Sequence, residues 1–206
     1  MKLYVILDAA ICDTVAVAQA ISGLDVEYVQ LRDFTSNDAE YSATAAAIMS
    51  AFEGTPTGFI VGERPHLVPR LGAAGVHIGE KYRDIQTARE EIGQGAVLGV
   101  SQFSPEFIAE HLGEDFPVDY LSVGPVWTTV SKADAGAEIG VEASARLVAA
   151  NPYRSALIGG IKAENLAQLA QSVALLGPME PLAVVLGEVC RSANPAEAVN
   201  RLLAAA

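Results

Sequence analysis

Short runs of aliphatic and β-branched residues recur along the chain, separated by longer stretches in which apolar positions return every three or four residues. The runs are LYVIL at 3–7, VEYVQLR at 26–32, GFIVG at 58–62, GVHIG at 75–79, AVLGV at 96–100, YLSVG at 120–124, SALIGG at 155–160 and LAVVL at 182–186. Apolar runs of this length, bounded by glycine and polar residues, predict eight buried strands. The stretches between them are alanine-rich with apolar residues at helical spacing, and they predict helices over 39–52, 88–92, 107–111, 143–150, 165–175 and 195–203. Ser36, Ser104 and Asn194 stand where a helix needs an N-cap, the last two with proline directly after them.

Strands that alternate with helices pair in parallel through right-handed crossovers. A doubly wound open sheet is the rival arrangement, but eight such units match a closed barrel, so the expected fold is α/β: one (β/α)8 TIM barrel domain over residues 1–206. Ligands of such barrels sit where the strands end and the loops toward the helices begin. The residues just after each strand therefore matter most, and they include Asp8, Glu63, Ser101, the hydroxyl-rich segment after the sixth strand, and glycines after the seventh and eighth.

Three stretches carry candidate chemistry. In YVQLRD, Gln30 and Arg32 are two residues apart and share a side of their strand, which points both into the barrel. An inward arginine at the mouth calls for an anion, supplied by a ligand or by the carboxylate of Asp8 or Glu63. In SVGPVWTTVSKADAG, Thr128, Thr129, Ser131 and Lys132 follow a strand and bring hydroxyl donors and a positive charge, the groups that hold a phosphate. In ALIGGIKAENL, Gly159 and Gly160 precede a helix that starts near Ala163, so backbone amides are open to an anion. His77 alternates with apolar residues inside a strand and reads as a satisfied interior residue rather than a catalytic base. Trp127 and Phe34 could stack on an aromatic ligand, although anchoring of their loops is the simpler role.

Composition narrows the field. Hydrophobic residues make up 51% of the 206, enough for one substantial core, and no apolar run reaches the ~18 residues of a membrane span. Thirteen basic against 25 acidic side chains give a formal charge of −12 with no basic cluster, which argues against nucleic acid and requires any anion site to gather its few cations locally. The start, MKLYVILDAA, reads as a first strand rather than an export signal, and two cysteines without metal spacing agree with a reducing compartment, so a cytoplasmic protein is expected.

The motifs YVILD, VQLRD, AAGVHIGE, LGVSQFS, DYLSVGPVWTTVSK, ALIGGI and LAVVL, in that order and over nearly the whole chain, resemble thiamine-phosphate synthase and its thiazole tautomerase relatives. The resemblance implies a thiamine-biosynthesis transferase that joins a pyrimidinylmethyl pyrophosphate to hydroxyethylthiazole phosphate on a (β/α)8 barrel, releasing pyrophosphate with Mg²⁺. It implies that Gln30 contacts the pyrimidine, that Arg32, Ser101 and Lys132 act on the pyrophosphate, and that Thr129, Ser131, Gly159 and Gly160 hold the thiazole phosphate. Its partners are then small phosphorylated heterocycles, with a homodimer as the candidate assembly.

Several positions depart from the family pattern. Gly62 and Glu63 stand where Asn-Asp is expected, which makes Glu63 the candidate Mg²⁺ ligand; Tyr82 stands in place of a second metal-binding aspartate; Asp33 and Phe34 stand where an acid and a lysine are expected; and Leu186 takes the place of a serine. Asp33, Glu80 and Asp84 are the candidates to replace the lost carboxylate. Two alternative functions follow: a thiazole-phosphate tautomerase, whose catalytic histidine position is Pro125 here, and a phosphate-binding or regulatory protein without turnover.

Overall fold

The computed structural model describes residues 1–79, 84–101, 117–131 and 136–206. Eight strands are present: β1 (Lys2–Asp8), β2 (Val26–Arg32), β3 (Gly58–Gly62), β4 (Gly75–Ile78), β5 (Val97–Val100), β6 (Tyr120–Val123), β7 (Arg154–Ile158) and β8 (Leu182–Val185). All pair in parallel with their sequence neighbours, and β8 pairs back onto β1 through Lys2↔Leu182 to Val5↔Val185, so the sheet closes on itself. The doubly wound alternative is excluded by that last pairing. The chain is a single (β/α)8 barrel.

Alternation along each strand divides the core in two. Tyr4, Ile6, Ile60, Tyr120, Ala156, Leu182 and Val184 pack together inside the barrel. The other parity, such as Leu3, Val5 and Leu7 on β1, faces the helices and forms a larger shell with them. The described helices are α1 (Thr14–Ile21), α2 (Asp38–Ala51), the short α3 (Val68–Leu71) after a 3₁₀ turn at Pro65–Leu67, α4 (Ile85–Ile92), α5 (Gly140–Ala150), α6 (Ala163–Val173), the single-turn α7 (Gly187–Cys190) and α8 (Pro195–Ala205). None is long and apolar enough to cross a membrane.

Caps set several helix starts. Asn194 accepts from the Glu197 amide at 3.2 Å, as its position before proline predicts. For α2 the cap is Asn37, not Ser36: Asn37 Oδ1 accepts from the Ala39 and Glu40 amides at 2.9 and 3.1 Å, and the Glu40 carboxylate accepts from the Asn37 amide at 3.1 Å. A glutamate three residues on completes this reciprocal box from position 37 and cannot do so from 36. The predicted helix at 107–111 and its cap Ser104 lie outside the described residues.

The two cysteines, distant in sequence, meet behind β1. Cys12 Sγ donates to Asp8 O at 3.6 Å and Cys190 Sγ to Ile6 O at 3.2 Å. The proximity of the two thiols lowers the pKa of Cys12 and, together with burial, raises that of Cys190.

Candidate active site

Parallel closure puts every strand's carboxyl end on one rim, and the described candidates Asp8, Gln30, Arg32, Glu63, Ser101, Thr129, Ser131, Gly159 and Gly160 fall there in two arcs. The first arc spans the ends of β1 to β5. Arg32 pairs in register with Asp8 and donates through Nη1 to its buried carboxylate, whose other oxygen accepts from the Ala10 amide at 2.9 Å. Of the anions considered for Arg32, Asp8 is therefore its partner within the protein. Only one guanidinium nitrogen is used in this pair, and the side chain stays 24% accessible at the mouth. Phe34 covers it, with the guanidinium carbon 4.7 Å from the ring centroid, while the ring itself is 63% exposed.

Gln30 lies below Arg32, buried, and its Oε1 accepts from the Tyr4 hydroxyl at 2.8 Å. His77 on β4 is engaged at both ring nitrogens, Nδ1 with the Tyr120 hydroxyl at 3.0 Å and Nε2 with Ser101 Oγ at 2.9 Å. It is thus an interior residue, and it supports Ser101 at the end of β5.

Glu63 has φ 61°, the only non-glycine in the left-handed region among the described residues. That conformation costs a residue with a Cβ about 1 kcal/mol. It swings the carboxylate across to β4, where a Cβ on Gly79 would stand 2.6 Å from Glu63 Oε1. Arg64 then turns back and ties down the loop after β2, donating to Asp33 O at 2.7 Å and Ser36 O at 2.8 Å while its guanidinium stacks over Tyr41 at 4.3 Å.

Two of the three carboxylates considered as replacements for the missing metal ligand, Asp33 and Asp84, are otherwise occupied. Asp33 Oδ1 accepts from Thr35 N, Thr35 Oγ1 and Ser36 N at 2.9, 3.0 and 3.2 Å; its partial burial opposes ionisation, but these bonds outweigh it and hold the pKa at about 2. Asp84 caps α4, with its two oxygens on Thr87 N at 2.9 Å and Thr87 Oγ1 at 2.6 Å, bonds that lower its pKa. Glu80, Tyr82 and Lys132 lie outside the described residues. Among the described residues no three carboxylates, histidines or cysteines gather around one point, and Glu63 is the single acid aimed across the rim with no hydrogen bond to a cap or turn.

The second arc spans the ends of β6, β7 and β8. The loop after β6 lies against β7 through Val126 N to Ile158 O at 2.9 Å and Trp127 N to Gly159 O at 3.0 Å. Gly160 has φ +63°, and a Cβ there would stand 2.7 Å from both Thr128 O and Trp127 Cβ, so only glycine fits. Trp127 packs on the core and anchors this loop. Thr128 turns outward to Glu138, its hydroxyl donating at 2.6 Å. Thr129 Oγ1 accepts from the Ser131 amide at 3.3 Å, which shapes the turn that carries Ser131 over β8. A Cβ on Gly187 would stand 3.0 Å from Ser131 Oγ and 3.7 Å from Arg191 Nε. Thr129, Ser131, Gly159, Gly160 and Gly187 thus converge, and Arg191 joins them. Sequence inspection passed over Arg191 because it lies in a single-turn helix with no periodic signal. It also passed over Tyr4 and Tyr120, although a tyrosine on the inward parity of a barrel strand announces a buried hydroxyl that needs a partner.

These features define a single (β/α)8 barrel whose candidate site groups, among the described residues, gather at the carboxyl rim, split between a glutamine–arginine–acid arc and a hydroxyl–glycine arc. The thiamine monophosphate synthase family matches residues 3–176. A thiamine-phosphate synthase of Azorhizobium caulinodans is 33% identical over 187 residues, covering 90% of this chain and 84% of its own length. One from Methanospirillum hungatei is 32% identical over 193 residues, covering 91% and 89%. The thiamine phosphate pyrophosphorylase structure from Pyrococcus furiosus superposes with a TM-score of 0.82 at 24% identity, covering 98% of this chain and 94% of that one, which shows the shared fold. The chain belongs to the thiamine monophosphate synthase family.

Proposed function

We propose that the protein is a thiamine-phosphate synthase: it joins the methylene carbon of a pyrimidinylmethyl pyrophosphate to the ring nitrogen of hydroxyethylthiazole phosphate and releases pyrophosphate. The observation that carries this is the two-arc rim in a chain whose relatives of that name align over about nine-tenths of its length. In this reaction the carbon–oxygen bond to pyrophosphate breaks, negative charge grows on the leaving group, and the pyrimidine carbon becomes cationic before the thiazole nitrogen supplies its electron pair. Donors fixed in advance lower that barrier most where the charge develops.

The first arc receives the pyrophosphate half. Arg32 offers its unused guanidinium donors while Asp8 holds it in place, and Ser101 offers its hydroxyl; the family resemblance adds Lys132, outside the described residues, as a second charge for the pyrophosphate. Gln30 presents its amide to the pyrimidine ring. The second arc holds the thiazole phosphate through Thr129, Ser131 and the amides at Gly159 and Gly160, with the start of the 11-residue α6 behind them. Arg191 adds a cation to this arc. Mg²⁺ fits the first arc in a restricted sense: the ion commonly takes one or two carboxylates and completes its shell with water and substrate phosphate. Glu63, held over Gly79, is the carboxylate that would carry it. When bound, the ion neutralises charge on the pyrophosphate. Pro125, in contrast, gives the loop after β6 no proton-transferring side chain, so the tautomerase function has no base at that position. The free thiols suit a reducing cytoplasm.

The test is pyrophosphate release from the purified protein, with both substrates, with and without Mg²⁺. Release that requires both substrates and rises with Mg²⁺ is expected; ligand binding without release would assign the protein to a non-catalytic role.

A further inference from the structure

A row of polar groups crosses the apolar interior of the barrel, and neither the family resemblance nor the rim chemistry accounts for it. Gln30 Oε1 meets the Tyr4 hydroxyl at 2.8 Å, Tyr4 meets the Tyr120 hydroxyl at 3.1 Å, Tyr120 meets His77 Nδ1 at 3.0 Å, and His77 Nε2 meets Ser101 Oγ at 2.9 Å. The row joins β2 to β5 through β1, β6 and β4 and starts and ends on rim residues. We propose that Tyr4 and Tyr120 are positioning residues, which through this relay fix the amide orientation of Gln30 and the hydroxyl orientation of Ser101. The inference rests on the synthase function above for what those two groups receive, and on geometry alone for the relay itself.

The direction of the protons follows from one end. An amide oxygen only accepts, so Tyr4 donates to Gln30 and its single proton is used. Tyr4 must then accept from Tyr120, and Tyr120 in turn must accept from His77 Nδ1–H. With substrate absent, Nε2 of a neutral His77 is then the acceptor for the Ser101 hydroxyl; a protonated His77 would instead donate from both nitrogens and leave the Ser101 proton for the pyrophosphate. The phenols keep their protons throughout, since burial pushes both Tyr4 and Tyr120 well above their ordinary pKa. With its oxygen tied to Tyr4, Gln30 is left with Nε2 as the free end of its amide, so it meets the pyrimidine as a donor.

The interior is shaped around this row. Tyr120 is 1% and Tyr4 1% exposed, and their rings pack edge to face at 6.0 Å, while His77 stacks on Tyr120 at 5.7 Å. On the neighbouring strand Gly99 lies opposite Tyr120, and a Cβ there would overlap the phenol at 1.9 Å from its Cζ. The barrel therefore gives up a side chain on β5 to admit a buried hydroxyl. Phenylalanine would have filled the same volume without the need for a partner, so the hydroxyls are retained for what they bond.

The experiment uses the full chain and its Tyr4→Phe, Tyr120→Phe and Tyr28→Phe variants, the last altering the adjacent aromatic cluster outside the relay. Nitrogen-15 NMR of the histidine rings reads the relay without substrate: His77 is expected as the neutral Nδ1–H tautomer, and Tyr120→Phe is expected to abolish that preference. Steady-state kinetics reads positioning. Tyr4→Phe is expected to raise the KM for the pyrimidine pyrophosphate roughly three- to tenfold, the loss of about one hydrogen bond, and to leave the KM for thiazole phosphate within about twofold. Tyr120→Phe is expected to lower kcat, and Tyr28→Phe to change neither. An Nε2–H tautomer in the parent protein, or an active parent whose Tyr4→Phe variant is kinetically unchanged, overturns the inference. An inactive parent with the expected tautomer overturns the synthase function and leaves the relay standing.

Discussion

At the scale of single residues, the Asp8–Arg32 pair shows how a net acidic protein holds a cation at the mouth of its barrel. Asp8 is almost fully buried and needs Arg32, whereas Arg32 has donors to spare at the mouth. Replacing Arg32 by Gln leaves a buried carboxylate without its counter-charge, and such losses cost roughly 3 kcal/mol. Urea unfolding is expected to show that cost for Arg32→Gln and to show most of it restored in the Asp8→Asn/Arg32→Gln double variant. Arg32→Lys keeps the charge but loses the planar fork, so kcat/KM for the pyrimidine pyrophosphate should fall by about tenfold or more. In the other arc, Gly160→Ala places a methyl within 2.7 Å of Thr128 O at a left-handed backbone. Its expected signature is a raised KM for thiazole phosphate with the KM of the other substrate unchanged, read in the same steady-state assay. The period of two in YVQLRD made Gln30 and Arg32 legible as neighbours. The partner of Arg32 was not legible, because the choice among Asp8, Glu63 and ligand depends on strand register, and only the pairing Asp8↔Arg32 decides it.

At the scale of elements, the loop from β2 to α2 is heavily braced, tied by Arg64, the Asp33 turn and the Asn37–Glu40 box. Asn37→Ala should cost about 1 kcal/mol of stability in thermal or urea unfolding, with Ser36→Ala within experimental error of the parent. Asp33 links the same loop to pH. Its folded pKa, about 2, lies below the ordinary 3.8, so the stability it contributes is complete above that ordinary value and is lost as pH falls through the interval toward 2. Acid unfolding of the parent should steepen across this interval, and the Asp33→Asn variant should lack that part of the slope. Strand centres were legible to within a residue or two, since a buried parallel strand is a continuous apolar run. Helix starts were less so: position 36 and position 37 both carry capping side chains, and only the reciprocal glutamate distinguishes them. α1, α3 and α7 were missed because eight, four and four residues carry too little periodic signal.

At the scale of the molecule, closure between β1 and β8 brings the two arcs together, since it carries Asp8 and Arg32 around to Gly187, Ser131 and Arg191 on the same rim. The count of eight apolar runs made that closure legible. The interior relay was not, because it depends on residues of four strands and on Ser101 just past a fifth, whose hydroxyl, imidazole and amide groups meet only after the barrel forms. Binding of thiamine phosphate, the joined product, tests the single-site claim most directly, by calorimetric titration alone and in the presence of each substrate. One product molecule per chain, displacing both the pyrimidine pyrophosphate and the thiazole phosphate, is the predicted result. Product that binds alongside either substrate without competition would contradict it.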